Sequence, residues 1–251
     1  MRYAGIVEYD GSQFCGWQRQ SHAPSVQEAV ERSISMIANH EIGIACAGRT
    51  DTGVHALGQV IHFDTNAHRD LRSWLLGINA NLPESIVLKS IKQVPEDFHA
   101  RFSAISRSYR YVIVNESVRS ALLAKRAVWE RVPLDELQMQ EAAQYLIGQH
   151  DFTSYRALAC QAKSPIREIY SLSVSRQNSL IIIDVRANGF LHHMVRNLAG
   201  VLMSIGKNEY PPIWAQEVLI RKDRSCGGIT APAHGLYLIS VEYDAQFTIQ
   251  I

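Results

Sequence analysis

The segment from Ala47 to Ala56, Ala-Gly-Arg-Thr-Asp-Thr-Gly-Val-His-Ala, brings groups that could do chemistry into one short loop. Gly48 and Gly53 bracket an arginine and an aspartate spaced two apart, and glycines permit a turn in which both side chains project the same way and pair. A neighbouring Arg49 guanidinium would keep the Asp51 carboxylate ionised, so that it could serve as a nucleophile or a base. The alternative is an Asx turn that carries a surface ion pair.

The triplet Asp51-Thr52-Gly53 also occurs in aspartic proteases, which makes a protease a second interpretation. Those enzymes need two carboxylates that share a proton, from a second triplet or from a symmetric dimer. The sequence holds no second Asp-Thr-Gly and no Asp-Ser-Gly. Arg49 would moreover favour ionising the very carboxylate that must share a proton. The protease is therefore the weaker interpretation.

The charge balance conceals a bias towards arginine. The 251 residues include 25 Lys and Arg against 24 Asp and Glu, a formal net charge of +1, which by itself does not indicate a nucleic-acid partner. Only six of the basic residues are lysine, however, which leaves 19 arginines. Arginine is suited to bidentate phosphate contacts and to stacking on bases. Compositional bias alone is the alternative explanation.

The composition excludes several classes of protein. Hydrophobic residues make up 47% of the chain and charged residues 20%, as in folded globular proteins. The apolar runs fall far short of the roughly 20 residues that cross a bilayer, and the first ten residues lack the pattern of a secretory signal, which favours the cytoplasm. The four cysteines are far apart and form no Cys-x-x-Cys pair, a pattern that indicates reduced thiols rather than a disulfide frame or a zinc ribbon.

The elements that must position these residues follow from hydrophobic periodicity and from turn residues. The first half predicts a strand over Arg2–Tyr9, a helix from Pro24 or Ser25 with a capping box at Glu28, a strand over Gln59–Thr65, a helix over Leu71–Ile78 and a strand over Ile86–Val94. The second half predicts a strand over Arg107–Val114, a helix over Leu134–Ile147, a hairpin of Glu168–Ser175 with Leu180–Ala187, a helix over Leu191–Ile205 and a strand over Gly235–Tyr243.

This order of elements predicts an α+β fold rather than a doubly wound parallel sheet, because antiparallel strands lie beside helices in both halves. We expect two domains with antiparallel sheets, residues 1–104 with the Asp51 loop and residues 105–251. A central cleft between two such units is a common place for a functional site.

Several motifs, in one order along nearly the whole chain, closely resemble those of the bacterial tRNA pseudouridine synthase A family. They are Gly48–Ala56, Phe98–Phe102, Arg107–Tyr111, Gly148–Phe152 and Phe190–Asn197. The resemblance implies a pseudouridine synthase fold of two ferredoxin-like or RRM-like units. It also implies an isomerase that converts uridine to pseudouridine in the anticodon stem-loop of tRNA, at positions 38, 39 and 40, with neither an organic cofactor nor a metal.

The resemblance also implies roles for individual residues. Asp51 is the catalytic residue, assigned as the nucleophile, although the route (attack on the sugar, addition to the base, or abstraction of a ribose proton) stays open. Tyr109 would stack on the uracil, and strand alternation places it on one face with Tyr111 and Ile113. Arg196 would pair with Asp51, and Arg49 would contact the substrate or the same carboxylate. The alternatives are a core tyrosine and a solvated helix face.

Spread-out basic residues, rather than one lysine run, would dock the RNA. The candidates are Arg19, Arg101, Arg107, Arg110 and His55. Further candidates are His62, Arg156, Lys163 and Arg167. Each arginine could equally be an ordinary surface charge, and each histidine a structural hydrogen-bonding group.

On a helix His192 and His193 would point about 100° apart, which argues against a shared metal. The resemblance further implies a homodimer with tRNA spanning both subunits. A non-catalytic RNA-binding module is the rival hypothesis.

Overall fold

In the computed structural model, which describes residues 1–247, the chain divides into two units. The strands are β1 (Arg2–Tyr9), β2 (Ala45–Cys46), β3 (His55–Asp64), β4 (Ile86–Val94), β5 (Ala104–Asn115), β6 (Val128–Glu130), β7 (Gly148–Asp151), β8 (Ile166–Gln177), β9 (Leu180–Ala187) and β10 (Leu236–Tyr243). The helices are α1 (Val26–Ala38), α2 (Leu71–Asn81), α3 (Glu136–Gln144), α4 (Met194–Gly206) and α5 (Trp214–Arg221).

Among the described residues, the first unit comprises Met1–Ser106 and residues 237–247, and the second comprises Arg107–Leu236. The predicted domains, 1–104 and 105–251, differ from this division in assigning the last strand to the second half. Pairing between the two ends of a chain is a long-range contact, and hydrophobic alternation along one strand does not encode its partner.

The sheet of the first unit has the strand order β4, β1, β3, β10, and β2 pairs with β3. Its pairs are antiparallel, except that β10 runs parallel to β3, with Tyr237 opposite His55. Helices α1 and α2 pack on each other, and α2 packs on β4. The predicted cap is confirmed: α1 begins after Ser25, whose side-chain oxygen accepts a hydrogen bond from the Glu28 amide at 3.3 Å.

The sheet of the second unit has the order β5, β9, β8, β7, with antiparallel pairs, and β6 runs parallel to β5. The predicted hairpin is confirmed as β8 and β9, joined through Asn178, which has a left-handed φ of 55°. The predicted face of β5 is confirmed too, since Tyr109, Tyr111 and Ile113 are all buried.

The predicted α+β class with antiparallel sheets is thus confirmed in each unit. Strands β2, β6 and β7 and helix α5 were not predicted, because they are too short to show a clear period. Among residues 1–247, no helix combines the length and the apolarity that crossing a membrane requires.

Candidate active site

Residues 47–54, the Asp51 loop, connect β2 to β3. The loop is held at both ends by backbone hydrogen bonds. The Ala47 amide donates to the Val60 carbonyl at 2.8 Å, and the Val54 amide closes a turn by donating to the Asp51 carbonyl at 3.1 Å. Gly53 within that turn has a φ of 80°, which glycine adopts without strain. The Asp51 side chain is therefore presented, half-buried, from a tight and well-anchored turn.

A second segment, residues 10–18, packs its backbone directly against this loop. The Trp17 amide donates to the Thr50 carbonyl at 3.0 Å. At Gly16, whose φ is +89°, a Cβ atom would lie 2.8 Å from the Thr50 carbonyl oxygen, and at Gly11 it would lie only 1.9 Å from that of Val54. The two glycines are required because a side chain at either position would push the Asp51 loop away.

Two buried side chains complete the support of the loop. The Tyr9 hydroxyl lies 2.7 Å from the Thr50 hydroxyl, so the two share a hydrogen bond. The side-chain amide of Gln59, itself fully buried in β3, bonds both the amide and the carbonyl of Gly48. Sequence reasoning did not identify Tyr9 or Gln59 as site residues, although a glutamine next to the apolar pair Val60 and Ile61 was an available signal.

The Tyr9–Thr50 hydrogen bond gives a first prediction. Tyr9→Phe should lower the free energy of unfolding by about 1 kcal/mol, because it leaves the buried Thr50 hydroxyl without this partner. It should also lower turnover, because Thr50 adjoins Asp51. Urea unfolding measures the first effect. Tyr210→Phe makes the same change at an exposed tyrosine and serves as the control; equal stability of the two variants would contradict the assigned role of Tyr9.

Arg49 and Asp51 differ in exposure. Arg49 is exposed, whereas Asp51 is half-buried. Burial raises the pKa of the neighbouring Cys46 thiol to about 11, and the positive charge of Arg49 opposes that shift. Arg49 thus lies close enough to Cys46 to influence it, and its predicted pairing with Asp51 stays a prediction.

His55 follows the loop and is only 2% exposed. Its Nδ1 atom accepts a hydrogen bond from the Gly11 amide at 3.1 Å and lies 3.2 Å from the Asp10 carboxylate. Its ring stacks on Tyr237 with centroids 4.7 Å apart. These contacts favour the structural role that the sequence left open for His55 over an RNA contact.

His62 is buried in a comparable way. Its Nδ1 atom accepts a hydrogen bond from the Ala100 amide at 3.1 Å, and its ring lies 4.6 Å from that of His99. Burial, assisted by His99 and Arg2, lowers the pKa of His62 to about 4. His62 is therefore a neutral structural group near pH 7.

This shift predicts a pH dependence of stability. Between about pH 6.5 and pH 4 the unfolded chain binds a proton at His62 and the folded chain does not, so stability falls as the pH falls, by up to about 3 kcal/mol. His62→Asn keeps an acceptor near the Nδ1 position and should flatten this part of the profile of unfolding free energy against pH. The exposed His22→Asn should leave the profile unchanged. Identical profiles for wild type and His62→Asn would refute the assignment.

In the second unit, Tyr109 on β5 is 9% exposed and meets the Phe190 ring edge-on, with centroids 5.0 Å apart. Tyr111, two residues along, is the core tyrosine: its hydroxyl donates to the Pro232 carbonyl at 2.8 Å, and burial raises its pKa. Arg196 on α4 is half-buried, and its Nε donates a hydrogen bond to the Ala231 carbonyl at 2.8 Å. Its positive charge opposes the rise that burial causes in the pKa of Tyr111. The fully solvated face considered for Arg196 is therefore wrong.

The other candidate arginines have different partners. Arg19 lies 3.5 Å from the Glu31 carboxylate, Arg101 lies over the Phe102 ring at 5.6 Å, and Arg107 donates to the Asn188 carbonyl at 3.1 Å. Arg110 makes a bidentate pair with Asp184 at 2.8 and 3.0 Å, so its charge is largely compensated. Arg110 is the least suited of these to bind a phosphate.

Three basic residues after β7 complete the candidate set. Arg156 is half-buried and Lys163 is exposed. Arg167 donates to the Ser164 carbonyl at 3.0 Å, and burial lowers its pKa. Their roles stay predictions.

His192 and His193 do not lie on a helix, which corrects the predicted start of α4 at Leu191. His193 is the residue before the helix and has a left-handed φ of 61°. The two rings lie close together, with centroids 4.0 Å apart. Both residues lie in the turn before the helix, which the Met194 amide closes by donating to the Leu191 carbonyl. The divergence of about 100° between neighbours on a helix therefore does not apply to them. The expected absence of a metal stays a prediction.

Comparisons with known proteins agree with the resemblance. A family model described as tRNA pseudouridine synthase matches residues 6–103 and 142–244, which include Arg49, Asp51 and Arg196, whereas Tyr109 lies between the two ranges. A Pseudomonas aeruginosa protein named tRNA pseudouridine synthase A is 53% identical over 249 residues, 99% of this chain and 87% of that protein. Its namesake in Pseudoalteromonas translucida is 54% identical over 249 residues, 99% of this chain and 94% of that protein. The chain belongs to the tRNA pseudouridine synthase family.

Proposed function

We propose that this protein isomerises uridine to pseudouridine in the anticodon stem-loop of tRNA, at positions 38, 39 and 40. In this reaction the bond between N1 and C1′ breaks, the uracil turns, and C5 bonds to C1′. The proton on C5 leaves and N1 gains one, so substrate and product have the same composition. No electrons are transferred and no atoms are added, so the reaction calls for no redox cofactor.

Asp51 is the catalytic residue in this proposal. Tyr109 stacks on the uracil, and Arg49 and Arg196 bind the substrate. The nucleotide must leave the helical stack before its glycosidic bond can be reached, so the enzyme must hold a flipped base. An aromatic ring and a carboxylate kept ionised by a cation are the groups that such a pocket requires.

The observation that carries the proposal is the anchoring of the Asp51 loop inside the range matched by the family model. Backbone hydrogen bonds hold the loop, and two glycines allow a neighbouring segment to approach it closely. A loop that serves only as a surface turn does not need this support. Preorganisation of a reactive carboxylate does.

Two rival functions make different predictions. A non-catalytic RNA-binding module would bind tRNA and convert no uridine. An aspartic protease would need a second carboxylate triplet, which the sequence does not contain, and the family assignment opposes it. The isomerase is therefore the better explanation of the Asp51 loop.

The experiment that tests the function follows from the reaction itself. Because C5 loses its hydrogen, tRNA that carries tritium at C5 of uridine should release tritium into water as pseudouridine forms. We expect release from unmodified tRNA with uridine in the anticodon stem-loop, and none when that uridine is replaced by cytidine. Release that persists after dialysis against EDTA would support a metal-free reaction. Binding of tRNA with no release would favour the RNA-binding module.

We also propose that the enzyme acts in the cytoplasm as a homodimer. The family resemblance supports this, and Leu158 and Ile229 of the second unit are large apolar side chains left more than four-fifths exposed, as is common at interfaces. Light scattering of the purified protein would measure a mass twice that of the chain. A monomer at micromolar concentration would contradict the dimer without affecting the proposed activity.

A further inference from the structure

Arg196 is tied to one short segment of the second unit through both its side chain and its backbone. Its Nε donates a hydrogen bond to the Ala231 carbonyl at 2.8 Å, and its own carbonyl accepts one from the Ala231 amide at 3.1 Å. Because Nε belongs to the planar guanidinium group, a hydrogen bond at Nε sets the plane of the whole group. The direction of the Ala231 carbonyl therefore determines how the Arg196 side chain is oriented.

A polar network fixes Thr230, the residue before Ala231. The Thr230 hydroxyl donates to Oδ1 of Asn197 at 2.6 Å and accepts from Nη2 of Arg224 at 2.8 Å. The same Nη2 atom donates to Oδ1 of Asn197 at 3.0 Å. Asn197 is fully buried, and its Nδ2 donates to the Tyr155 carbonyl at 2.7 Å, so every polar atom of its side chain has a partner. Members of such a network depend on one another, and the loss of one hydroxyl disturbs the rest.

The loop that leads to Thr230 lies directly on helix α4. At Gly200, within the helix, a Cβ atom would lie only 1.9 Å from the Ile229 carbonyl oxygen. Arg224 also closes the loop on itself, since its Nη1 donates to the Gly228 carbonyl at 2.9 Å. These contacts restrain the backbone that carries the Thr230 side chain.

The residue after Ala231 is tied to the strand that carries Tyr109. The Pro232 carbonyl accepts a hydrogen bond from the Tyr111 hydroxyl at 2.8 Å. Tyr111 is fully buried and lies two residues from Tyr109 on β5. The segment is thus held by α4 on one side and by β5 on the other, and these are the elements that carry Arg196 and Tyr109.

We propose that Thr230 and Arg224 are positioning residues for Arg196, because they hold the Ala231 carbonyl where it orients the guanidinium group for binding the substrate. The inference rests on the proposed function, which assigns Arg196 to substrate binding. It gives Thr230 and Arg224 no contact with the substrate and no part in the chemical step. The alternative is a network that stabilises the fold and has no effect on how Arg196 binds.

Thr230→Val is the sharpest variant, because valine has nearly the shape of threonine and lacks the hydroxyl. In the tritium-release assay, kcat/KM for tRNA should fall about three- to tenfold, the range that the loss of one hydrogen bond gives. Thr230→Ser keeps the hydroxyl and should stay close to the wild-type value. A wild-type kcat/KM in Thr230→Val would overturn the inference.

Arg224→Met is a second variant, which removes the donors of Arg224 and leaves the hydrogen bond between Thr230 and Asn197 in place. It should lower kcat/KM in the same way. Its matched control is Arg131→Met, which changes an exposed arginine of the same unit and should leave kcat/KM unchanged. Urea unfolding gives the folded fraction of each variant, so that activities are compared between folded proteins. Equal kcat/KM in Arg224→Met and Arg131→Met would contradict the role of Arg224.

A double-mutant cycle with Arg196→Lys separates positioning from a structural role. Lysine keeps the positive charge but has no planar group for the Ala231 carbonyl to orient. If Thr230 acts through Arg196, Thr230→Val should change kcat/KM by less than about twofold in the Arg196→Lys background. A loss as large in that background as in wild type would show that Thr230 does not act through Arg196, and would overturn the inference.

The Nε–H signal of Arg196 in a proton–nitrogen correlation spectrum reports the hydrogen bond to Ala231 in the absence of RNA. Arg196→Lys assigns the signal by removing it. Thr230→Val should shift the signal and speed its exchange with water, whereas Thr230→Ser should not. An unchanged signal in Thr230→Val would overturn the inference whether or not the enzyme is active. The proposed function fails in a different way, through a wild-type protein that releases no tritium.

Discussion

Asp51→Asn should lower tritium release from 5-tritiated tRNA by about a thousandfold or more, while tRNA binding is retained. Asparagine has nearly the shape of aspartate, so the turn closed between Asp51 and Val54 should survive. An amide, however, is neither a nucleophile nor a base at neutral pH. The loss should therefore appear in the turnover number rather than in the affinity for tRNA.

The measurement requires a control for the loss of a carboxylate as such. Asp97→Asn changes an exposed aspartate of the same unit and should release tritium at the wild-type rate. An Asp51→Asn protein that turns over as fast as wild type would remove Asp51 from the mechanism. An inactive variant that no longer binds tRNA would instead assign Asp51 to binding and contradict the catalytic role.

Gly11→Ala should have the largest effect on stability among the changes considered, at about 3 kcal/mol. The added Cβ would lie 1.9 Å from the Val54 carbonyl oxygen and 2.7 Å from its carbon. These are backbone atoms in the Asp51 loop, so no side chain can rotate away to make room. Moving Val54 also disturbs its hydrogen bond to the Asp51 carbonyl, and turnover should fall together with stability.

Gly43→Ala is the matched control for this change. A Cβ there would have no neighbour within 4 Å, so the free energy of unfolding should change by less than about 1 kcal/mol. Urea unfolding followed by circular dichroism gives both values, and tritium release at a temperature where both variants are folded gives the activity. If Gly11→Ala were as stable and as active as Gly43→Ala, the close approach of the two segments would have no role in supporting the site.

The parts of the fold that the sequence predicted well are those set by neighbours in the chain. The bounds of β1 and β4 are as predicted, because both are short runs rich in apolar residues and turn residues follow each of them. The start of α1 is as predicted, because a cap needs only Ser25 and the amide three residues on. Helix α4 begins three residues later than predicted, because Leu191 belongs to the turn before the helix and its apolar side chain is buried like those of the helix.

The support of the candidate site could not be predicted in the same way. Tyr9 and Thr50 are 41 residues apart and Gly11 and His55 are 44 apart, so no local pattern links them. His55 illustrates the consequence. Its residue type allowed a phosphate contact, and only the packing around it shows a buried group between Gly11 and Tyr237.

The sequence by itself determined the class of fold, most of its elements and the candidate residues for the chemistry, because periodicity, caps and motif spacing are local properties of the chain. The tertiary structure alone decided which strand joins which sheet, which histidines are buried, and how the Asp51 loop is held. Those outcomes depend on contacts between segments far apart in the chain, and the order of residue types along the chain does not specify how close such segments come in the fold.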